Sequence, residues 1–209
     1  SIDRAIWFSG IGEDNLVRIS VYGDLRSMDT DELRKAIQRD KEKGYAPAGV
    51  IAATGGTSTG SCDNISDVAD VATEENLYLH VDAAWAGSAM ICPEFRNLWS
   101  GIERADSIVF NPHKWLGAQF DCSVQFLRDA SMQKNTLSIS PEYLKTKGVT
   151  GITNLSDYTI QLGRRFRALK LWFLLRAEGL SGLRKVIRNH IKWSTGLHDS
   201  IKELKNVEI

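Results

Sequence analysis

Cysteine is scarce. The three present, Cys62, Cys92 and Cys122, stand far apart and form no CxxC pair. That excludes a disulfide framework and points to free, mostly buried thiols in a reducing compartment, with the cytoplasm as the expected location. Net charge is absent too, because 26 Lys and Arg balance 26 Asp and Glu. No field then draws nucleic acid or an anionic membrane, and neither is expected as a partner. No run of 18 apolar residues occurs, and the N-terminus lacks the charged, apolar, small-residue order of a signal peptide. Internal repeats, low-complexity tracts and metal-ligand spacings are missing as well, so no metal is expected. What remains is globular, at 43% hydrophobic and 25% charged over 209 residues, the length of one domain or slightly more.

Apolar and amphipathic runs alternate through the first two-thirds of the chain. Leu16 to Tyr22 alternates with period two and predicts a strand. A helix is expected over Asp29 to Lys43, capped by Asp29 or Thr30, ended by Gly44 and burying Leu33, Ala36 and Ile37. Further strands are expected at Ala48–Thr54, Leu77–Val81, Ser107–Phe110 and Ser123–Leu127. A helix at Ile65–Glu75 and a short one at Pro93–Trp99 lie among them. This rhythm predicts an α/β layer structure with a largely parallel sheet covered on both faces. Met132 to Asn154 reads as a long loop. Two long helices follow, the first ending near Gly179 and the second running from about Ser181 to Leu204, with a boundary near 160 to 175.

Ligands of open α/β sheets bind beyond the carboxyl ends of the strands. Three clusters follow such ends: Gly55-Gly56-Thr57-Ser58-Thr59-Gly60-Ser61, Asp82-Ala83-Ala84-Trp85, and Asn111-Pro112-His113-Lys114-Trp115. The first fits neither GxGxxG nor GxxxxGK[ST], which disfavours a dinucleotide or nucleoside triphosphate; a plain tight turn is its alternative. Asp82, after an apolar strand, needs a cationic partner, whether a structural ion pair or a ligand. Lys114, between His113 and Trp115, is either a desolvated amine able to attack aldehydes or a lysine that snorkels to solvent. Together they suit one chemistry. Pyridoxal phosphate needs a lysine for its Schiff base and a carboxylate against its pyridinium nitrogen.

HVDAAWAGSAMICPEFR (80–96) and NPHKWLGAQFDCS (111–123) resemble the pyridoxal-phosphate-dependent group II amino acid decarboxylases, nearest to the aromatic-L-amino-acid branch. TGGTSTGS (54–61), PEYLK (141–145) and LGRRFRALKLW (162–172) extend the resemblance in the same order. It implies an α/β fold of the aspartate aminotransferase-like type I class. Residues 1–170 would form the C-terminal part of the cofactor domain, and 171–209 the start of a small C-terminal domain. It implies pyridoxal 5'-phosphate as cofactor, an amino acid substrate, and a homodimer with the active site at the subunit interface. Lys114 would carry the Schiff base, Asp82 would pair with the ring nitrogen, and Ala84 would pack on the ring face. Thr57 would lie near the ring oxygen, with Asn111 and His113 on the phosphate and Schiff-base side. Tyr143 would sit on a closing loop and help protonate the quinonoid carbon after carbon dioxide leaves. Relatives that make aldehydes by oxidative deamination have phenylalanine at that position. The Arg164-Arg165 pair would anchor the closed loop or a subunit contact, unless it is a solvated face.

Trp85 departs from the aromatic branch, which usually has tyrosine there; the glutamate and diaminobutyrate branches often have tryptophan. The family's upstream segments, which supply a phosphate-binding serine and a ring-stacking histidine, have no match. A fragment, or one chain of a cleaved enzyme, is therefore expected. Three functions stand at this point. They are aromatic amino acid decarboxylation (or that of glutamate, diaminobutyrate or histidine), aldehyde synthesis, and a non-catalytic fragment that associates with a full-length partner.

Overall fold

The computed structural model describes residues 2–138 and 153–207. The chain divides into two compact units, Ser1–Ala105 and Asp106–Ile209.

The first unit begins with helix α1 (Ile2–Phe8) and a minimal antiparallel hairpin of β1 (Val21–Tyr22) and β2 (Ser27–Met28). The strand expected over 16–22 shrinks to its last two residues. Alternation alone makes no strand where the backbone finds no ladder, and the available partner is two residues long. Helix α2 (Thr30–Glu42) follows its sequence signals: the Asp29 side chain accepts from the Asp31 and Glu32 amides at 3.0 and 3.1 Å, and Leu33, Ala36 and Ile37 are buried. Gly44, at φ +84°, ends it.

Strand β3 (Gly49–Ala53) and β4 (Tyr78–Asp82) pair in parallel, from Gly49↔Tyr78 to Ala53↔Asp82. Helix α3 (Ile65–Glu74), capped by Asn64, connects them and packs on both. Its buried face of Ile65, Val68, Ala69, Val71 and Ala72 meets the buried alternate residues Val50, Ala52, Leu79 and Val81. The opposite strand positions, Ile51, Ala53, His80 and Asp82, are only half-buried, so one face of the pair is closed and the other partly open. Three 3-10 turns follow β4, with Pro93–Trp99 adopting this tighter form instead of an α-helix.

The second unit holds β5 (Ser107–Phe110) and β6 (Val124–Leu127), paired antiparallel from Ser107↔Leu127 to Phe110↔Val124. The sheet, expected to be largely parallel, thus contains an antiparallel pair. A parallel return needs a crossover, usually helical, and the segment between these strands is a loop of turns that brings the chain straight back. Helix α4 (Ala130–Leu137) occupies the start of the stretch read as loop. Asp129 caps it through the Ser131 amide at 2.8 Å, a local signal outweighed in the sequence by the polar composition of the helix. Most of the remaining predicted loop lies outside the described residues. Helix α5 (Ala168–Lys202) contains the expected break, Gly179 at φ 62° and ψ 174°, and buries Leu183 and Ile187. Among the described residues no helix is long and apolar enough to cross a membrane.

One carboxylate ties the small hairpin to the first unit's strands. Asp63 accepts from the Met28 amide through Oδ1 and the Ala53 amide through Oδ2, both at 2.7 Å. Burial raises its pKa above the ordinary carboxylate value, against the opposing pull of these two amides. The native state therefore holds this proton to higher pH than the unfolded chain does. Asp63's share of stability is greatest below about pH 3.9, its approximate unfolded value, and declines as pH rises through the native value. Asp63→Asn should abolish that slope and, by leaving an amide unpaired, cost about 1–3 kcal/mol. Urea unfolding at several pH values checks both.

Candidate functional site

Parallel pairing brings the first unit's two candidate clusters to one edge. The Thr54 amide donates to the Asp82 carbonyl at 3.0 Å, so the glycine-rich turn leaves β3 beside the carboxyl end of β4. The Gly55 and Gly56 amides both donate to the Ser61 carbonyl, at 2.8 and 2.9 Å, closing the turn on itself. Gly55 has φ +79°, and a Cβ there would stand 2.2 Å from the Ala86 Cβ. Glycine is therefore required both by backbone conformation and by close approach to the turn after Asp82. Thr57 sits exposed in this turn.

Asp82 is half-buried, and its Oδ1 accepts from the Ala84 amide at 3.0 Å. The side chain thereby bridges the first two residues after the strand and leaves Oδ2 for a ligand. Among the described residues no cation pairs with it. Ala84 is half-buried between fully buried Ala83 and exposed Trp85. His80 shares the Asp82 face of β4, by the period of two. Burial lowers its pKa, partly offset by Asp82, and favours the neutral ring.

In the second unit the third cluster forms a turn beyond β5. The Lys114 amide donates to the Asn111 carbonyl at 2.9 Å, and the Ala118 amide to the Pro112 carbonyl at 2.9 Å. Pro112 and Leu116 are buried inside the turn, while Lys114 is exposed. The desolvated lysine considered from its apolar neighbours is not found in this chain, because the turn sends Leu116 inward and Lys114 outward. Asn111 Oδ1 is buried without a hydrogen-bond partner. His113 Nδ1 accepts from the Cys122 amide at 2.9 Å, and its ring meets the Phe120 ring edge-on at 4.8 Å. Tyr143 lies outside the described residues.

Sequence reasoning missed Asp121. Its carboxylate meets Arg165 at 3.0 Å, Arg167 at 2.9 Å and Lys170 at 3.6 Å. The Arg167 hydrogen bond, aided by the charges of Arg165 and Arg167, lowers its pKa. Of the arginine pair singled out in the sequence, Arg165 thus has a defined partner. The signal available was only the alternation of Arg165, Arg167 and Lys170 with apolar residues.

A model of the pyridoxal-dependent decarboxylase conserved domain matches residues 9–209. The chain belongs to this family. It is 41% identical to the aromatic-L-amino-acid decarboxylase of Mus musculus, over 100% of this chain and 43% of that protein. It is 37% identical to the phenylacetaldehyde synthase of Petunia hybrida, over 100% and 42%. The solved structure of Oryza sativa TDC with PLP and tryptamine matches at a TM-score of 0.90 and 37% identity, covering 96% of this chain and 41% of that one. The chain spans about two-fifths of the length of these relatives. Its architecture is the α/β fold of type I pyridoxal phosphate enzymes.

Pyridoxal phosphate is the family's cofactor, and the donor set of this pyridoxal-dependent decarboxylase chain suits it. Asp82 offers a carboxylate oxygen for a protonated ring nitrogen, Lys114 an accessible amine for an aldehyde, and Asn111 a buried polar atom awaiting a partner. The glycine turn is equally committed to this edge. Gly55→Ala should lower stability by about 1–3 kcal/mol through the combined clash and positive φ, read by thermal unfolding.

Proposed function

We propose that the intact protein is a pyridoxal phosphate-dependent carboxy-lyase acting on an aromatic L-amino acid of the Dopa, Tyr, Trp and 5-hydroxytryptophan class, releasing the amine and carbon dioxide. One observation carries the reading. The two charged residues of the most specific motifs, Asp82 and Lys114, have no ion-pair partner among the described residues, although Asp82 is half-buried. A half-buried carboxylate without a protein counter-ion calls for a cationic ligand. The 41% identity to a mouse aromatic-L-amino-acid decarboxylase supports the substrate class.

Bound pyridoxal phosphate supplies an electron sink conjugated to the substrate Cα. Lys114, whose side chain is exposed, would hold the cofactor through its amine. Asp82 would pair with the ring nitrogen through the oxygen that does not accept from the Ala84 amide, and Ala84 would offer a small surface to the ring face. Thr57 would lie near the ring oxygen, and Asn111 and His113 would line the phosphate and Schiff-base side. Tyr143, which lies outside the described residues, would be the proton donor to the substrate Cα that the family resemblance implies.

A homodimer in the cytoplasm belongs to the same proposal, as does a domain division near residue 170. Support for a dimer comes from large apolar side chains exposed on α5, including Trp172, Phe173, Trp193 and Leu197. The three cysteines, all free, agree with a reducing compartment. A second reading, aldehyde synthesis with ammonia and peroxide release, draws on the similarity to the Petunia hybrida phenylacetaldehyde synthase. Tyr143 favours the amine, since the resemblance implies phenylalanine there in aldehyde-forming relatives.

Borohydride reduction of the intact protein followed by peptide mass spectrometry should place the pyridoxyl adduct on Lys114, and Lys114→Ala should abolish it. An adduct elsewhere overturns the assignment. Asp82→Asn should lower kcat about a hundredfold or more. A product screen over Tyr, Dopa, Trp, 5-hydroxytryptophan, Phe and His should yield amine without stoichiometric ammonia and peroxide.

A further inference from the structure

We infer that Asp121 is a positioning residue for His113, and that the cations of residues 165–170 act through it to set which ring nitrogen of His113 carries the proton. The inference rests on the reading of His113 as a pocket residue beside Lys114.

Two contacts hold the His113 ring, and both come from the residues flanking Asp121. On one side Phe120 presents its ring edge at 4.8 Å. On the other, Cys122 surrounds Nδ1 with its backbone: the amide lies at 2.9 Å and the carbonyl at 2.6 Å. These two backbone groups make opposite demands. An amide N–H needs a lone pair on Nδ1 and sends the neutral ring's proton to Nε2, whereas a carbonyl needs the proton on Nδ1 itself. A small displacement of the 120–122 tripeptide therefore decides the tautomer. Packing fixes Cys122 at one end of the tripeptide, Phe120 at the other is exposed, and the grip on Asp121 between them sets the angle at which the Cys122 amide meets the ring.

That grip is specific. Arg165 donates from Nη2 to Oδ1 at 3.0 Å, Arg167 donates from Nε to Oδ2 at 2.9 Å, and Lys170 adds its charge at 3.6 Å. An isolated exposed ion pair contributes little. Here three cations converge on one carboxylate whose side chain is 28% exposed, and each oxygen has its own arginine donor. The cations lie 44 to 49 residues downstream, so no local backbone preference duplicates their hold. With the clamp in place the Cys122 N–H, whose hydrogen is fixed on the peptide nitrogen and directed at Nδ1, outweighs the closer carbonyl, and Nε2–H is the donor that His113 presents.

The test begins with the intact protein stripped of cofactor and labelled with 15N-histidine. The wild type should show one His113 tautomer, with Nδ1 as acceptor and Nε2 protonated. Asp121→Asn should convert this to a mixture of tautomers, Arg167→Gln should do the same, and the double variant should add nothing further. Asp121→Glu should restore much of the single signature. With cofactor restored, kcat of Asp121→Asn should fall about tenfold with KM changed less than about twofold, the mark of lost orientation rather than lost binding. A wild-type ring with Nδ1 protonated overturns the inference. So does an Asp121→Asn protein that keeps the single tautomer and its kcat and loses only thermal stability. Should Asp121→Asn not fold, Arg167→Lys gives the same spectral reading with the carboxylate kept. Absence of a Lys114 adduct would instead overturn the proposed function, and the cofactor-free spectra would stand apart from it.

Discussion

The parallel hydrogen-bond ladder between β3 and β4 is the constraint on which the first unit's chemistry depends. Its register ends with Ala53 opposite Asp82, and the Thr54 amide reaches one step further to the Asp82 carbonyl. Both following turns must therefore leave from the same edge, and they crowd each other so closely that only a glycine fits at position 55. Helix α3 makes the ladder possible, because a parallel return needs a crossover long enough to span the sheet. Its apolar face covers one side of the strand pair and leaves His80 and Asp82 half-exposed on the other.

The second unit solves a different problem. An antiparallel pair needs only a loop between its strands, and that loop is where Asn111, His113 and Lys114 stand. Pro112, Leu116 and Cys122 bury into it, which frees Lys114 to face outward and leaves Asn111 Oδ1 enclosed without a partner. The loop therefore combines packing and chemistry in alternate residues. The packed residues hold the backbone, and Asn111 Oδ1 is left unsatisfied among the described residues, a cost tolerated where a ligand completes the set.

Elements with strong local signals were legible. The Asp29 cap and the three buried residues of α2, the face of α3, the bounds of β5 and the break at Gly179 all follow from periodicity and capping chemistry. Failures came where a partner or a competing signal decided. Residues 16–20 alternate well but have no ladder to join, and α4 was masked by polar residues despite its cap at Asp129. Of the candidate site, residue chemistry singled out Asp82 and Lys114, and the family resemblance implied Thr57, Ala84, Asn111 and His113. Asp121, inside one of those motifs, went unremarked because its partners lie at 165–170.

The sequence by itself determined the local helices and strands, the α/β rhythm and the candidate pair of Asp82 and Lys114. These depend on periodicity, caps and side-chain chemistry, all of which act over a few neighbouring positions. Tertiary structure alone decided the direction of strand pairing, the exposure of Lys114, the absence of a counter-ion at Asp82 among the described residues, and the clamp of Arg165 and Arg167 on Asp121. Each of these is a meeting, or a failure to meet, of groups set by how the whole chain folds back. No local preference encodes a contact across 44 residues; only the assembled backbone brings such groups within hydrogen-bonding distance.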